Sequence, residues 1–171
     1  MIRSAALVAS LVAGCAVAGG AADGWPIESG GDADSYLATS AIGRDSTSTI
    51  PDESGSTAVR PRLIFQCAAG EGQRLAARID WKRFISSFNT DVNFRVDDRQ
   101  RLWLKFGVDA SNRITMTKSP ADAALLVDYL AGSQLVKVGI TPYAEAEVSV
   151  SFDLSGFDAA LSALQSHCGN D

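Results

Sequence analysis

The sequence has few of the residues from which active sites are usually built. Its 171 residues include one histidine and three cysteines, with no C-x-x-C pair. A protein zinc site needs several such ligands close together. The G-x-S-x-G and S-x-x-K nucleophile motifs are absent, and the glycine-rich segments lack the lysine and the following helix of a phosphate-binding loop. The sequence therefore predicts a protein that is not an enzyme, with no catalytic set, no metal site and no cofactor.

A basic excess is also missing. The net charge is -5, and from Arg62 onward twelve basic residues stand against thirteen acidic ones. A protein that binds nucleic acid would be expected to carry a basic stripe or excess, so nucleic acid is excluded as a partner. The acidic surplus lies between Gly20 and Pro61, where seven acids face two arginines.

The N-terminus differs from the rest of the chain in its long apolar run. Residues 1–18 begin with a basic residue, Arg3, which precedes an apolar run of about a dozen residues. Such a run is too short to cross a bilayer as a stable helix and has the proportions of a secretory signal. We therefore predict that residues 1–18 are a signal sequence and that the protein is exported.

Two endings of this signal are compatible with the sequence. Ala16-Val17-Ala18 forms an A-x-A cleavage site, which would release a soluble periplasmic protein. Val12-Ala13-Gly14-Cys15 is similar to a bacterial lipobox, whose cysteine is lipidated and becomes the new N-terminus. In that case Cys15 would anchor the protein to a membrane, where Ala16 permits outer-membrane sorting. Contact with a membrane is expected only through this lipid.

Export determines how the other two cysteines are interpreted. Cys67 and Cys168 remain after either processing event, and two cysteines in an oxidising compartment most simply pair. Because the loop between them is long, a disulfide would stabilise the fold by about 4 to 5 kcal/mol in the chain-entropy model. Two reactive or metal-binding thiols are the alternative.

Composition divides the rest of the chain in two. Residues 19–61 are acidic, rich in Gly, Ser, Thr and Asp, and predict a linker, most clearly over residues 43–60. Trp25 and Ile27 indicate a short strand in it, and alternation from Tyr36 to Ile42 indicates another. We expect the tryptophan to dock on the domain formed by residues 62–171.

Sequence patterns typical of strands begin at Arg62 and recur at short intervals along the chain. Apolar and polar residues alternate in six segments, which lie around Phe65, Ile79, Phe94, Leu104, Val138 and Val150. The first two segments predict an antiparallel hairpin, and Ile114 with Met116 predicts a further short strand. Ser119 and Pro120 begin an internal helix, which should end at Gly132. A second helix is expected after Ser155, capped by that serine and by Asp158 at the third helical position, with a buried stripe that ends at Cys168. The pattern predicts an α+β fold: an antiparallel twisted sheet or sandwich with one internal and one C-terminal helix packed on it.

One segment combines cations with aromatic residues. Trp81, Lys82 and Arg83 lie together, and Arg95 is near in sequence; such a group is a candidate partner-binding patch for proteins or glycans. The alternative interpretation is the end of a strand with buried aromatics and solvated cations. Two acidic pairs, Asp97-Asp98 and Glu145 with Glu147, are candidates for acid–base chemistry, although turn acids are usually solvated.

The order of these features resembles the VasI/TagO-type accessory proteins of bacterial type VI secretion. The residues that carry the resemblance are Leu63 to Cys67, Arg95-Val96-Asp97, Trp103, Thr141-Pro142-Tyr143, Phe152-Asp153-Leu154-Ser155-Gly156, Ala160-Leu161, Leu164 and Cys168. A wider family of exported bacterial proteins that shares the domain is an equal match.

The resemblance implies a periplasmic or membrane-anchored component that binds and assembles, with envelope or secretion-system proteins as partners and no catalytic residues. The alternatives are a secreted inhibitor or binding module for an envelope enzyme or glycan, and a hydrolase of envelope polymers that uses acids such as Glu145 or Asp97.

Overall fold

A computed structural model describes residues 24–31, 38–68 and 74–169. The predicted signal sequence, Cys15 and Tyr36 lie outside these residues. Within the three described ranges, no helix is both long and apolar enough to cross a membrane.

The described residues form eleven strands and two helices. In chain order these are β1 (Ile27–Gly31), β2 (Ala38–Asp45), β3 (Ile50–Pro51), β4 (Ala58–Val59), β5 (Arg62–Ala68), β6 (Ala76–Asp80), β7 (Thr90–Val96), β8 (Leu102–Val108), β9 (Ile114–Thr117), α1 (Pro120–Leu130), β10 (Leu135–Ile140), β11 (Val148–Asp153) and α2 (Phe157–Gly169).

Nine of these strands form one antiparallel sheet, in the order β1-β2-β5-β6-β9-β8-β7-β10-β11. Strands β3 and β4 pair separately as a small hairpin. The predicted hairpin of β5 and β6 is confirmed, and so is the α+β class. Strands β7 and β10 pair although they are more than thirty residues apart in the chain, and this pairing positions the site described below.

The sheet curves until its last strand approaches β2. Beyond the end of β2, the Thr47 amide donates a hydrogen bond to the Ser151 carbonyl at 2.8 Å. The Ser151 amide in turn donates to Ser48 Oγ at 3.0 Å, and Arg44 forms an ion pair of 2.6 Å with Asp153. These contacts cover the edge of β11, which would otherwise expose unpaired backbone groups.

Both helices share one core with the sheet. The predicted stripe of α2 is buried: Phe157, Leu161, Leu164 and Cys168. Phe157 packs against Trp25 and Phe65 with ring centroids 5.2 and 4.9 Å apart, so the expected docking of the tryptophan is confirmed.

The predicted ends of α1 are confirmed too. Ser119 Oγ accepts a hydrogen bond from the Asp122 amide at 3.2 Å, which satisfies one of the free donors at the start of the helix. Gly132 follows the helix with φ +70°, a conformation that glycine adopts without the steric cost of a Cβ.

The predicted disulfide is present. Cys67 on β5 is joined to Cys168 in the last turn of α2, with a Cα–Cα distance of 6.2 Å. The bridge closes a separation of 101 residues, so it connects the first half of the sheet to the last helix.

The linker predicted over residues 19–61 requires correction, because the folded domain begins well before residue 62. Strand β2 pairs with β5 from Thr39 to Asp45, and Ile42 and Ile50 are buried in the core. The sequence of this segment is typical of a linker because β2 contains one large apolar residue, Ile42, among small and polar residues. Its hydrophobic pattern is therefore weak. Short polar residues are nevertheless compatible with a strand whose neighbours supply the packing.

The predicted cap of α2 is also different. Ser155 directs its hydroxyl to the Asp153 carboxylate, and the helix begins at Phe157 after Gly156, whose φ is +77°. Asp158 accepts a hydrogen bond from the Gly132 amide at 3.1 Å. Its carboxylate therefore connects the start of α2 to the end of α1 instead of completing a capping box.

Candidate binding surface

The solvent side of strands β8, β7, β10 and β11 forms a continuous surface, here called the outer face. It is defined here by eight residues: Trp103 on β8, Asn93 and Arg95 on β7, Asp97 in the turn after β7, Leu135 and Lys137 on β10, and Ser149 and Ser151 on β11. Asn93 is the buried member of this set. Strand register places Asn93 between Trp103 and Gly139. It also places Lys137 between Arg95 and Ser151.

Two large apolar side chains of this face remain in solvent. Trp103 is 54% exposed and Leu135 is 48% exposed. With neighbouring strands about 4.8 Å apart and a rise of about 3.4 Å per residue, the two lie on the order of 17 Å apart across β8, β7 and β10. Aromatic residues and arginine are enriched at protein–protein interfaces relative to the rest of the protein surface.

A shallow groove lies at the Leu135 end of the outer face. Its volume is about 220 Å³, and its lining residues are Arg95, Asp97, Leu135, Lys137 and Ser151. Three adjacent strands contribute to it, so the groove exists only when β7, β10 and β11 are paired in this register. The groove is therefore a product of the tertiary fold.

Gly139 allows polar side chains to lie close to the sheet between the groove and Trp103. A Cβ at this position would stand 2.6 Å from Glu147 Oε1 and 2.7 Å from Asn93 Nδ2. These two groups lie 3.5 Å apart, with the Asn93 amide as donor. The glycine thus leaves room for the Asn93 amide and the Glu147 carboxylate over the backbone.

Two members of the predicted partner-binding patch are buried. Trp81 is inaccessible, and its indole Nε1 donates a hydrogen bond to Thr115 Oγ1 at 3.0 Å. Arg83 is 1% exposed and donates to both carboxylate oxygens of Glu145 at 2.5 and 2.6 Å and to the Pro51 carbonyl at 2.8 Å. Its expected solvation is wrong, because an acid and a carbonyl that are distant in sequence satisfy the guanidinium inside the fold.

The other two members are exposed but separated. Lys82 forms an ion pair with Asp80 in the turn after β6, whereas Arg95 lies on β7. Strands β9 and β8 lie between β6 and β7 in the sheet. The four residues therefore do not form one patch, and Arg95 alone belongs to the outer face.

Sequence reasoning did not single out Trp103, Leu135 and Lys137 as surface candidates. Alternation with buried Leu104 and Val136 does place them on the solvent side of their strands. Their grouping with Arg95 depends on the pairing of β7 with β10, which local sequence patterns do not encode.

The acidic pairs do not converge on a shared site. Glu145 binds Arg83, whereas Glu147 lies beside Asn93. Asp97 lies in the exposed turn after β7 with φ +46°.

Hydrogen bonds from the hydroxyl and amide of Ser155 hold the pKa of Asp153 below its usual value, and the Arg44 guanidinium lowers it further.

A second cavity, of about 380 Å³, lies at the β3–β4 hairpin. Small, polar and aliphatic residues line it: Thr49, Ile50, Pro51, Gly55, Ser56, Thr57 and Ala58. It offers no titratable side chain. In the part of the chain that the structure covers, no group of three or more His, Cys, Asp or Glu residues could hold a metal ion.

No family model matches the chain, and no curated protein matches it. Among solved structures, the chain is similar to invasion associated protein B from Bartonella henselae, with 15% sequence identity and a TM-score of 0.49. The match covers 84% of this chain and 92% of that protein.

Proposed function

We propose that this chain is an exported protein of the bacterial envelope that acts by binding, and that its contact surface is the outer face. The observation that carries the proposal is the exposure of Trp103 and Leu135 on the solvent side of paired strands, beside Arg95 and Lys137. Tryptophan and arginine are enriched among the residues that contribute most to protein–protein binding energy.

Two features support export. The N-terminal residues 1–18 have the pattern of a secretory signal. The pairing of Cys67 with Cys168 is of the kind that forms and persists in oxidising compartments such as the periplasm.

The specific form of the proposal is an accessory role in type VI secretion, and it rests on the sequence resemblance described above. Deletion of the gene in its native host should lower the export of type VI substrates, measured by immunoblotting of culture supernatants. Unchanged export would remove this specific form and leave the binding function to be tested separately.

The binding function is tested by cross-linking in intact cells. Tagged wild type, Trp103→Ala and Leu135→Ala are treated with a reversible cross-linker, purified, and their partners quantified by mass spectrometry. Leu125→Ala is the matched control, because Leu125 is 49% exposed but lies on α1. We expect each outer-face variant to lower recovery of the same partner by about tenfold, which corresponds to 1.4 kcal/mol, while the control retains it.

Equal recovery with all three variants would contradict a role for the outer face. If the partner recovered with wild type is an envelope enzyme whose activity falls on binding, the protein acts as an inhibitor through the same surface.

A further inference from the structure

Two cations lie directly opposite each other in the groove of the outer face. Arg95 and Lys137 are cross-strand partners on β7 and β10. The Cβ atoms of such partners are about 4.5 to 5.5 Å apart, and like charges at that separation destabilise a sheet. This arrangement stands out because the chain as a whole carries a net charge of -5.

The surrounding acids do not neutralise the pair. Among the described residues, neither Arg95 nor Lys137 forms an ion pair, even though Asp97 lines the same groove. Asp153 is bound to Arg44, and Glu147 lies beside Asn93. The two cations therefore lie opposite each other without a counter-charge bonded to either.

We propose that the partner presents an acidic protein segment, whose carboxylates bind between Arg95 and Lys137. This inference rests on the proposed binding function and identifies the chemistry of the partner. Carboxylates would form charge-assisted hydrogen bonds with both cations and remove their repulsion. Leu135 lines the same groove, and its exposed side chain offers an apolar contact, which favours a protein segment over an anionic glycan or a lipid headgroup.

A random peptide library tests the charge preference directly. Short peptides displayed on phage are selected on the immobilised full-length protein and sequenced. We expect the wild type to enrich Asp and Glu next to apolar residues, relative to the unselected library. The Arg95→Glu/Lys137→Glu variant should bind the selected peptides at least about tenfold more weakly, whereas Arg74→Glu/Lys118→Glu, which reverses two other exposed cations, should bind them as the wild type does.

Three results would overturn the inference. The first is the absence of acidic enrichment with the wild type, and the second is the same enrichment with the Arg95→Glu/Lys137→Glu variant. The third is binding of phosphatidylglycerol vesicles or of a polyuronate that depends on these two residues without any selection of acidic peptides, because the anion would then come from a lipid or a glycan.

A stability measurement provides an independent readout. Lys137→Glu alone places opposite charges across β7 and β10, so we expect its Tm to rise by up to about 3 °C while binding of the selected peptides falls. Lys118→Glu should change neither. A fall in the Tm of Lys137→Glu would show that the pair is not repulsive and would remove the premise.

The inference and the proposed function can fail separately. If Trp103→Ala and Leu135→Ala lower partner recovery but Arg95→Glu/Lys137→Glu does not, the outer face binds and its partner is not acidic. If none of these variants lowers recovery, both are wrong.

Discussion

The guanidinium of Arg83 connects parts of the chain that are far apart in sequence. It binds the Glu145 carboxylate, the Pro51 carbonyl and, more weakly at 3.3 Å, the Phe84 carbonyl. A buried cation that loses its partner is costly, because the remaining charge has neither water nor an anion around it. Arg83 therefore connects the segment after β6 to strand β3 and to the segment between β10 and β11.

We predict that Glu145→Gln lowers the free energy of unfolding by about 1 to 3 kcal/mol, since the charge of Arg83 is then uncompensated. The figure is below that for a fully buried pair because Glu145 is 39% exposed. Urea denaturation followed by circular dichroism measures the change. Glu147→Gln is the control and should stay within about 0.5 kcal/mol of wild type; equal losses in both variants would contradict the role assigned to Arg83.

Asp153 gives a second test at the scale of single residues. Its pKa is lowered in the folded state by hydrogen bonds from Ser155 and by Arg44. The resulting stabilisation is present above the unfolded-state pKa, near 3.9, and is lost as the pH falls through the lowered folded-state value.

We therefore predict that Asp153→Asn is less stable than wild type at neutral pH and that the difference shrinks as the pH falls below about 4. Chemical denaturation at a series of pH values measures it. A difference that stays constant down to the acid limit of folding would show that the carboxylate charge does not contribute.

At the scale of elements, β2 explains why the domain is longer than its composition indicates. It lies between β1 and β5 and also contacts α2 and β11, although most of its residues are small. Its alternation was visible in the sequence as far as Ile42, but the acidic, serine-rich context favoured a linker.

Truncation tests this element directly. A variant that lacks residues 1–23 retains Trp25 and β2 and should unfold cooperatively, as the full chain does. A variant that lacks residues 1–61 loses Trp25, Ile42 and Ile50 from the core and exposes the edge of β5. We expect it to aggregate or to lack a cooperative transition in thermal circular dichroism; equal Tm values for the two truncations would mean that β2 is dispensable.

The other elements show what the sequence could predict. Strands β5 to β11 follow clear alternation, and α1 has strong signals at both ends, so local pattern was sufficient for them. The disulfide followed from cysteine number and predicted export. The position of Arg83, the role of Asp158 and the grouping of Trp103, Arg95 and Lys137 each depend on contacts between distant segments, which composition and periodicity do not encode.

At the scale of the whole molecule, lipidation of Cys15 would determine where the protein meets its partners. If Cys15 is lipidated, the domain stays at a membrane and meets partners there. Cys15→Ala should then abolish both palmitate labelling and membrane association in fractionated cells. A mature wild-type protein that begins at Gly19 and fractionates as soluble would instead establish the A-x-A cleavage and leave the outer face free to meet partners throughout the periplasm.

The outer face is the surface that we propose binds the partner. A site-specific photo-cross-linking scan in intact cells tests it most directly, with the reactive amino acid placed in turn at Trp103, Leu135 and Ser149, and at Leu125 and Lys118 as positions away from that face. We predict one discrete adduct of the same mass from the three outer-face positions and none from the other two. Adducts from Leu125 or Lys118 but none from the outer face would contradict it.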